Sequence, residues 1–239
     1  MSNEQTLCAD YLLALLSPEK ETFVVDSTHW KAGLAGAAVV EAVLSGALRL
    51  TEQGEPGTRP GRLVRTGVAA PAVGSVWDEV IERADGQKPK NAVGRIGGAS
   101  TWRDRAGELR DAVLADLVRK EVIAPREHRT LGLFPTPRWA LIRPAARDAV
   151  LRRVTETLAA AGTGPLVERD ASLAAILHAS GALPKLFPEA DRRRLKEQGK
   201  ALTEVSWGSQ AVGKAIQDVN TAVAAGVVAA VAGGTAASS

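Results

Sequence analysis

Small and aliphatic residues fill the run Gly33-Leu34-Ala35-Gly36-Ala37-Ala38-Val39-Val40-Glu41-Ala42-Val43-Leu44, which we interpret as the main part of a helix from Trp30 to Leu44. Its glycines and alanines allow the backbones of neighbouring helices to approach closely. Asp26-Ser27-Thr28, just before this helix, offers side chains that can cap its first turn. The sequence therefore predicts that this helix lies in the middle of the core.

Helical spacing of apolar residues recurs along the chain, interrupted by two β-prone regions. The further helices are predicted at Leu7–Leu16, Val76–Ile81, Trp102–Lys120, Pro144–Ala160, Ala171–Ser180, Pro188–Val205 and Gln210–Val231. Leu48–Thr51 and Arg62–Arg65 alternate in polarity around a Gly/Pro-rich turn, which is typical of a β-hairpin. A second β-element is expected within Val122–Ile142, and the glycine-rich run Gly94–Gly98 is expected to be a loop. The predicted fold class is mainly α with small β-hairpins.

The chain is predicted to form one domain. It has 239 residues, of which 45% are hydrophobic, and this is enough for a sizeable core. No internal repeat and no long linker divides it, so residues 1–234 are assigned to a single domain and residues 235–239 to a flexible tail. The Ala/Gly/Val run from Ala222 to Gly234 is too short to span a bilayer and is expected to be a buried helix.

Residue types that carry enzyme chemistry are sparse. Cys8 is the one cysteine and the three histidines fall in unrelated segments, so neither a disulfide nor a metal site is expected. Nucleotide-binding loops, zinc-protease motifs and serine-hydrolase motifs are absent from the sequence, and Asp170 stands where a helix N-cap is wanted. With no secretory signal and no run of about 20 apolar residues, we expect a cytoplasmic protein that is not an enzyme and needs no cofactor.

Positive charge is concentrated in the middle of the chain. The whole sequence has a net charge of +3, but residues 86–153 contain 15 Lys and Arg against 7 Asp and Glu. Such a local excess attracts polyanions, for example an anionic membrane or nucleic acid. The candidate residues are Arg103, Arg105 and Arg110 on the predicted Trp102–Lys120 helix, and Arg126, Arg129 and Arg138 on the β-element that follows.

An apolar turn of Leu131, Leu133 and Phe134 lies within this basic region. Apolar residues that enter the acyl boundary, surrounded by cations that meet anionic head groups, are typical of peripheral membrane proteins. The same turn is compatible with packing into the domain or against a second subunit. A winged-helix module, with the arginines on nucleic-acid phosphates and the hairpin as wing, is a further interpretation. Acidic residues interleaved on the same helix make nucleic acid the less favoured partner.

Three blocks of sequence, in order along the chain, carry a family resemblance. Gly33–Gly36 running into Val40–Leu50 is similar to a glycine-leucine-x-glycine helix that ends in leucine-x-glycine-x-leucine. Leu117–Ile123 followed by Leu131–Phe134 is similar to a leucine-valine-x-lysine-glycine stretch and an apolar hairpin. Asp170–Ala179 is similar to a leucine-rich helix that ends in histidine-alanine. Together they resemble the Golgi phosphoprotein family of adaptors that bind phosphatidylinositol 4-phosphate.

The resemblance implies a helical bundle core with peripheral helices and loops, and a β-hairpin used in membrane contact and self-association. It also implies a basic pocket for a lipid head group. In eukaryotic members this pocket uses a tryptophan, the arginine of glycine-leucine-arginine-glycine and an arginine-x-x-arginine pair. Carried over, the tryptophan is Trp30, although it is closer to Gly33 than the pattern predicts, and the arginine positions fall on Ala35, Gly107 and Arg110. Two of the three arginines are therefore replaced.

The leading hypothesis is a peripheral membrane protein on the cytoplasmic face of a membrane. Trp30, Arg103, Arg105 and Arg110 would bind an anionic lipid head group, and the hairpin would insert or pair between subunits. The excess of arginine over lysine and the lack of the N-terminal extension of eukaryotic members suggest a bacterial member, with membrane-protein tails as further partners. The open alternatives are a winged-helix-like nucleic-acid-binding protein and an oligomerising scaffold without lipid affinity.

Overall fold

The computed structural model describes residues 5–71, 75–98, 103–130, 134–204 and 210–236. Its helices are α1 (Leu7–Leu15), α2 (Ser27–Leu44), α3 (Ser75–Ala84), α4 (Pro89–Gly97), α5 (Arg105–Arg119), α6 (Pro144–Ala160), α7 (Glu168–Ala179), α8 (Leu183–Leu186), α9 (Arg192–Glu204) and α10 (Gln210–Ala236). Its strands are β1 (Leu48–Leu50), β2 (Leu63–Arg65), β3 (Ile123–Thr130) and β4 (Phe134–Leu141). The predicted fold class, mainly α with small β-hairpins, is confirmed.

Helix α2 lies at the centre of the core, as its small residues predict. It packs against α1, α4, α7 and α10. Ala35 and Val39 are fully buried. A Cβ on Gly36 would collide with the side chain of Val223 in α10, so the two helices approach this closely only because the residue is glycine.

A side-chain cap fixes the start of α2. The carboxylate of Asp26 accepts hydrogen bonds from the backbone N–H groups of Thr28 and His29, at 2.9 and 3.2 Å. The same carboxylate lies 2.7 Å from Nδ1 of His29. The capping role predicted for Asp26-Ser27-Thr28 is confirmed, and α2 begins at Ser27 rather than at Trp30.

Both β-elements are two-stranded antiparallel hairpins. The first joins β1 to β2, and the second joins β3 to β4. The register of the second hairpin runs from Ile123 opposite Leu141 to Thr130 opposite Phe134. The β-element expected within Val122–Ile142 is therefore confirmed, and its strands are eight residues long.

The expectation of a loop at Gly94–Gly98 is wrong. Most of this run belongs to α4, which begins with Pro89 as its first residue and ends where Gly98 adopts a left-handed conformation. The glycines obscured a helical spacing of buried residues on one face of α4, namely Pro89, Ala92, Val93 and Ile96. Proline suits the first position of a helix, because the N–H group that it lacks would have no acceptor within the helix there.

Other helix starts differ from the prediction, and one of them is that of α7, which begins at Glu168 rather than at Ala171. Arg103 does not lie on α5, because Asp104 caps that helix and its first residue is Arg105. The helix predicted over Pro188–Val205 is shorter, since α9 begins at Arg192. The carboxylate of the preceding residue, Asp191, accepts a hydrogen bond from the N–H of Arg194 at 2.8 Å and so caps α9.

The C-terminal helix is longer than predicted, since α10 continues to Ala236. Val228, within the run expected to be buried, is 68% exposed, so that expectation is only partly correct. Residues 237–239 lie outside the described residues. The single domain over residues 1–234 and the flexible tail over residues 235–239 stay predictions.

An ionic network with buried carboxylates and partly exposed arginines joins α1, α2, α6 and α7. Arg153 of α6 donates to the carboxylates of Asp10 in α1 and Asp170 in α7, both at 3.1 Å. Arg169 of α7 lies 3.2 Å from a carboxylate oxygen of Glu41 and 3.6 Å from one of Asp10. Burial raises the pKa of Asp10, although the charges of Arg153 and Arg169 oppose this shift. Asp170 therefore pairs with an arginine and does not cap α7, which corrects the prediction from sequence.

Candidate functional site

Trp30 lies in the first turn of α2 and is only 5% exposed. Its ring packs against Phe23 with the ring centroids 5.8 Å apart. Phe23 belongs to the loop between α1 and α2, and the carbonyl of Glu21 in that loop accepts a hydrogen bond from the N–H of Trp139 in β4 at 2.8 Å. The loop therefore connects the start of α2 to the second hairpin.

Two cations lie over the Trp30 ring. The guanidinium carbon of Arg110 is 5.2 Å from the ring centroid, and Nζ of Lys31 is 5.6 Å from it. A cation within about 6 Å of an indole centroid is attracted by the negative face of the ring. The structure thus brings together two of the predicted site residues, Trp30 and Arg110, and adds Lys31. We call these three residues the Trp30 cluster.

Two carboxylates neutralise part of the charge of the Trp30 cluster. Nζ of Lys31 lies 2.9 Å from Oδ2 of Asp104, and Arg110 lies 2.7 Å from Oδ1 of Asp111. Partial burial alone would raise the pKa of Asp104. Hydrogen bonds from Lys31 and the N–H of Gly107, together with the nearby positive charges, outweigh this effect and lower the pKa. Asp104 is therefore ionised at neutral pH.

Arg103 and Arg105 have other neighbours. Arg103 lies 2.7 Å from a carboxylate oxygen of Glu108, and Arg105 lies 3.8 Å from one of Glu79 in α3. Arg105 and these two glutamates line a cavity of about 20 Å³ between α3 and α5, which has room for one water molecule. Of the three predicted helix arginines, Arg110 is the one that contacts Trp30 in the described part of the chain.

The two positions that lack an arginine have little free space around them. Ala35 is fully buried, and its Cβ is 3.7 Å from where a Cβ on Gly97 of α4 would stand. A Cβ on Gly107 would come within 2.7 Å of Oδ2 of Asp104, the residue that caps α5. The pocket that the resemblance implies is therefore reduced in this chain to Trp30 and Arg110.

The second hairpin places two arginines side by side. Arg126 in β3 is directly opposite Arg138 in β4. Side chains directly opposite one another in an antiparallel pair share one face, and like charges there repel. Arg126 is exposed and forms no ion pair within the described ranges. Of the other predicted hairpin residues, Leu131 and Leu133 lie outside the described residues, and only the backbone is described for Arg129 and Phe134.

Comparison with known protein families identifies the chain. The profile of the family described as Golgi phosphoprotein 3 (GPP34) matches residues 7–219. The chain belongs to this family. Membership of the Golgi phosphoprotein 3 family confirms the resemblance drawn from the three sequence blocks, and at a coarse level it supports a role in lipid binding or as an adaptor. A search among curated proteins finds no match for the chain.

The matched range of the Golgi phosphoprotein 3 family includes the Trp30 cluster, the second hairpin and the ionic network. Among the described helices, none has the combination of length and apolarity that crossing a bilayer requires.

Sequence reasoning missed two features of this region. Lys31 gave no signal, because its contact with Asp104 depends on how α5 packs beside the start of α2. The pairing of Arg126 opposite Arg138, by contrast, could have been predicted from the sequence. These two residues are equally distant from Gly132, so a hairpin with its turn centred on Gly132 places them opposite one another.

Proposed function

We propose that this member of the Golgi phosphoprotein 3 family is a non-enzymatic, cytoplasmic protein that binds anionic phospholipid head groups at the surface of a membrane. The observation that carries the proposal is the pair of arginines, Arg126 and Arg138, directly opposite each other on the second hairpin. Arg126 is exposed and has no ion-pair partner within the described ranges, so its charge is available to an anionic surface. Each cation near such a surface contributes about 1 kcal/mol to binding.

The Trp30 cluster supplies further positive charge near the hairpin. The loop that contains Glu21 and Phe23 contacts both β4 and Trp30, which supports a single binding surface. A phosphate that approaches Arg110 competes with the carboxylate of Asp111. We therefore propose that head-group binding at the Trp30 cluster is weak and falls as salt rises.

The proposed ligand is the head group of an ordinary anionic phospholipid. With Ala35 and Gly107 in place of arginines, the site lacks two sets of directed guanidinium donors, which are the groups best suited to bidentate phosphate recognition. Vesicles that contain phosphatidylglycerol should therefore be bound about as well as vesicles of equal charge that contain phosphatidylinositol 4-phosphate. Membrane-protein tails and a second copy of the chain, paired through the hairpin, are the proposed protein partners.

Arg110→Gln should weaken binding to anionic vesicles about fivefold. The reason is that the loss of one cation at a membrane surface corresponds to about 1 kcal/mol. Lys31 still covers the Trp30 ring in this variant, so the fold should persist. Co-sedimentation with phosphatidylglycerol vesicles at low salt measures the change.

Arg152→Gln is the matched control for Arg110→Gln, because it alters the net charge equally. Arg152 is exposed on α6, where its guanidinium lies 3.9 Å from Glu156. The control variant should bind vesicles within about twofold of the unmodified protein. Equal weakening by both substitutions would show that net charge alone determines binding and would contradict a site at the Trp30 cluster.

Leu133→Asp combined with Phe134→Asp should remove the part of vesicle binding that persists at near-physiological salt. Salt weakens the attraction of surface cations, whereas inserted apolar side chains are insensitive to it. Co-sedimentation at two salt concentrations measures this part, and circular dichroism checks the fold. Unchanged vesicle binding by the folded double variant would contradict insertion of the hairpin turn.

The scaffold alternative predicts a different result for the same double variant. If the apolar turn joins subunits and has no lipid affinity, the double variant should dissociate into smaller species. Size-exclusion chromatography with light scattering should then give a lower molecular mass than for the unmodified protein. The unmodified protein would then show no vesicle binding at any salt concentration.

Nucleic acid is the less favoured partner. A helix that reads a groove has to present cations to phosphates, whereas Arg103, Arg110 and Arg119 each pair with a carboxylate of α5. Those carboxylates would stand close to the phosphates and oppose binding. A salt-dependent shift of a DNA duplex that survives the hairpin double variant would favour this alternative.

A further inference from the structure

A groove of about 350 Å³ lies between the start of α4, one face of α10 and the loop that leads into β2. Its volume falls in the range of small-molecule sites. Gly61 of the loop and Pro89 of α4 line it, and α10 contributes residues spaced along a single helical face. The groove shares no lining residue with the Trp30 cluster or the second hairpin.

The groove is strongly cationic. Lys88 and Lys90 at the start of α4 and Lys214 of α10 all line it, together with a single carboxylate, that of Asp218. Asp218 lies 3.6 Å from Nζ of Lys214. Lys88 and Lys90 are both exposed and have no ion-pair partner within the described ranges. Two uncompensated ammonium groups therefore border one concave surface.

The groove lies near the end of α2 that is remote from Trp30. Gly97, at the end of α4, lies beside Ala35 in the first half of α2. Just before the start of α4, the carbonyl of Gln87 accepts a hydrogen bond from the N–H of Leu63 in β2 at 2.8 Å, which ties this end of α4 to the hairpin that follows α2. Helix α4 therefore runs antiparallel to α2, whose 18 residues span about 27 Å.

We propose that this lysine-lined groove binds a phosphate-bearing ligand, in addition to the head-group binding proposed for the Trp30 cluster. Lysine ammonium groups bind phosphate oxygens as compact point charges with several donors each, and three lysines line this groove. A ligand with two or more linked phosphates matches this arrangement better than a single carboxylate, because it distributes several negative charges among the three cations. The source is either a soluble phosphorylated compound or a lipid phosphate.

The test is isothermal titration calorimetry of the protein with sodium pyrophosphate. The unmodified protein should bind this probe, and Lys88→Gln with Lys90→Gln should weaken binding by at least about tenfold because two of the three cations are lost. Lys185→Gln with Lys196→Gln removes the same charge from exposed positions on α8 and α9 and should leave binding within about twofold. Thermal unfolding of both double variants checks that they fold.

Absence of pyrophosphate binding by the unmodified protein would overturn the proposal. Equal weakening by the two double variants would also overturn it, since binding would then reflect net charge alone. Vesicle co-sedimentation distinguishes the source of the phosphate. If the ligand is a lipid phosphate, Lys88→Gln with Lys90→Gln should weaken vesicle binding as well. If the ligand is a soluble compound, vesicle binding should be unchanged in this double variant.

The same experiments separate this proposal from the one made for the Trp30 cluster. Arg110→Gln should leave pyrophosphate binding within about twofold, because Arg110 is not in the groove. If vesicle binding is absent but the pyrophosphate result holds, the groove proposal survives alone. If Arg110→Gln weakened pyrophosphate binding as much as Lys88→Gln with Lys90→Gln does, the assignment of the pyrophosphate site to the groove would be overturned.

Discussion

Arg169→Met should lower the free energy of unfolding by about 3 kcal/mol, the effect expected when one partner of a buried ion pair is removed. Glu41 and Asp10, which Arg169 contacts, are almost completely buried. Arg169 also donates a hydrogen bond to the carbonyl of Gln5, just before α1. Its loss leaves two buried carboxylates with less compensation and releases the start of α1 from α7. Denaturant unfolding followed by circular dichroism measures the change.

Lower pH should reduce the destabilisation caused by Arg169→Met. Burial raises the pKa of Asp10 in the folded protein, and such a carboxyl group increasingly favours the folded state as the pH falls through the folded pKa toward the unfolded value. Protonated Asp10 needs no cation beside it, so the difference between the variant and the unmodified protein should narrow in acid.

The control for Arg169→Met is Arg152→Met, which removes an exposed arginine from a surface pair and should change stability by no more than about 0.5 kcal/mol. Combining Arg169→Met with Glu41→Gln should recover part of the lost stability, because glutamine removes the charge left without its cation and can still accept the hydrogen bond from the N–H of Leu7. A loss of stability in Arg169→Met as small as that of the control would contradict a role for the ionic network in holding the four helices together.

Gly33→Ala should destabilise the protein by about 2 kcal/mol, the range for overpacking of a dense core. A Cβ on Gly33 would overlap the phenol ring and hydroxyl of Tyr11, which is fully buried in α1. The hydroxyl of Tyr11 donates to the carbonyl of His29 at 3.4 Å, so the ring cannot move aside without losing this bond. Thermal or denaturant unfolding measures the loss.

Gly94→Ala is the matched control for Gly33→Ala. Gly94 lies within α4, and a Cβ there would meet no atom within 4 Å. Because alanine favours the helix more than glycine does, this substitution should stabilise the protein by about 0.5–1 kcal/mol. A destabilisation of similar size in both variants would show that packing against Tyr11 is not the cause.

Much of the fold could be predicted from sequence because its signals are local. The small residues of α2 and the cap at Asp26 depend on neighbours within a few positions of the chain, and both are confirmed. The first hairpin follows from alternating polarity on either side of a turn, and the second from a β-prone stretch around an apolar turn; both are present. Prediction failed at α4, where the glycines that suggested a loop lie within a helix whose buried face is set by α2 and α10.

The site was harder to predict because its contacts join distant segments. The pairing of Trp30 with Arg110 followed from the family resemblance, since the residues themselves gave no spacing that joins them. The carboxylates that neutralise the cluster and the network around Arg169 depend on tertiary packing. Glu41 and Arg169, for example, are 128 positions apart. Asp170 was assigned to a cap for the same reason, because the sequence gives no indication of its partner Arg153.

Co-sedimentation with neutral and with phosphatidylglycerol-containing vesicles tests whether the protein binds anionic membranes. The proposal predicts that the unmodified protein pellets with the anionic vesicles and not with the neutral ones. It also predicts that binding falls between low and near-physiological salt, because surface cations supply most of the attraction. If equal amounts of the protein stayed in the supernatant with both kinds of vesicle at low salt, binding to anionic membranes would be contradicted.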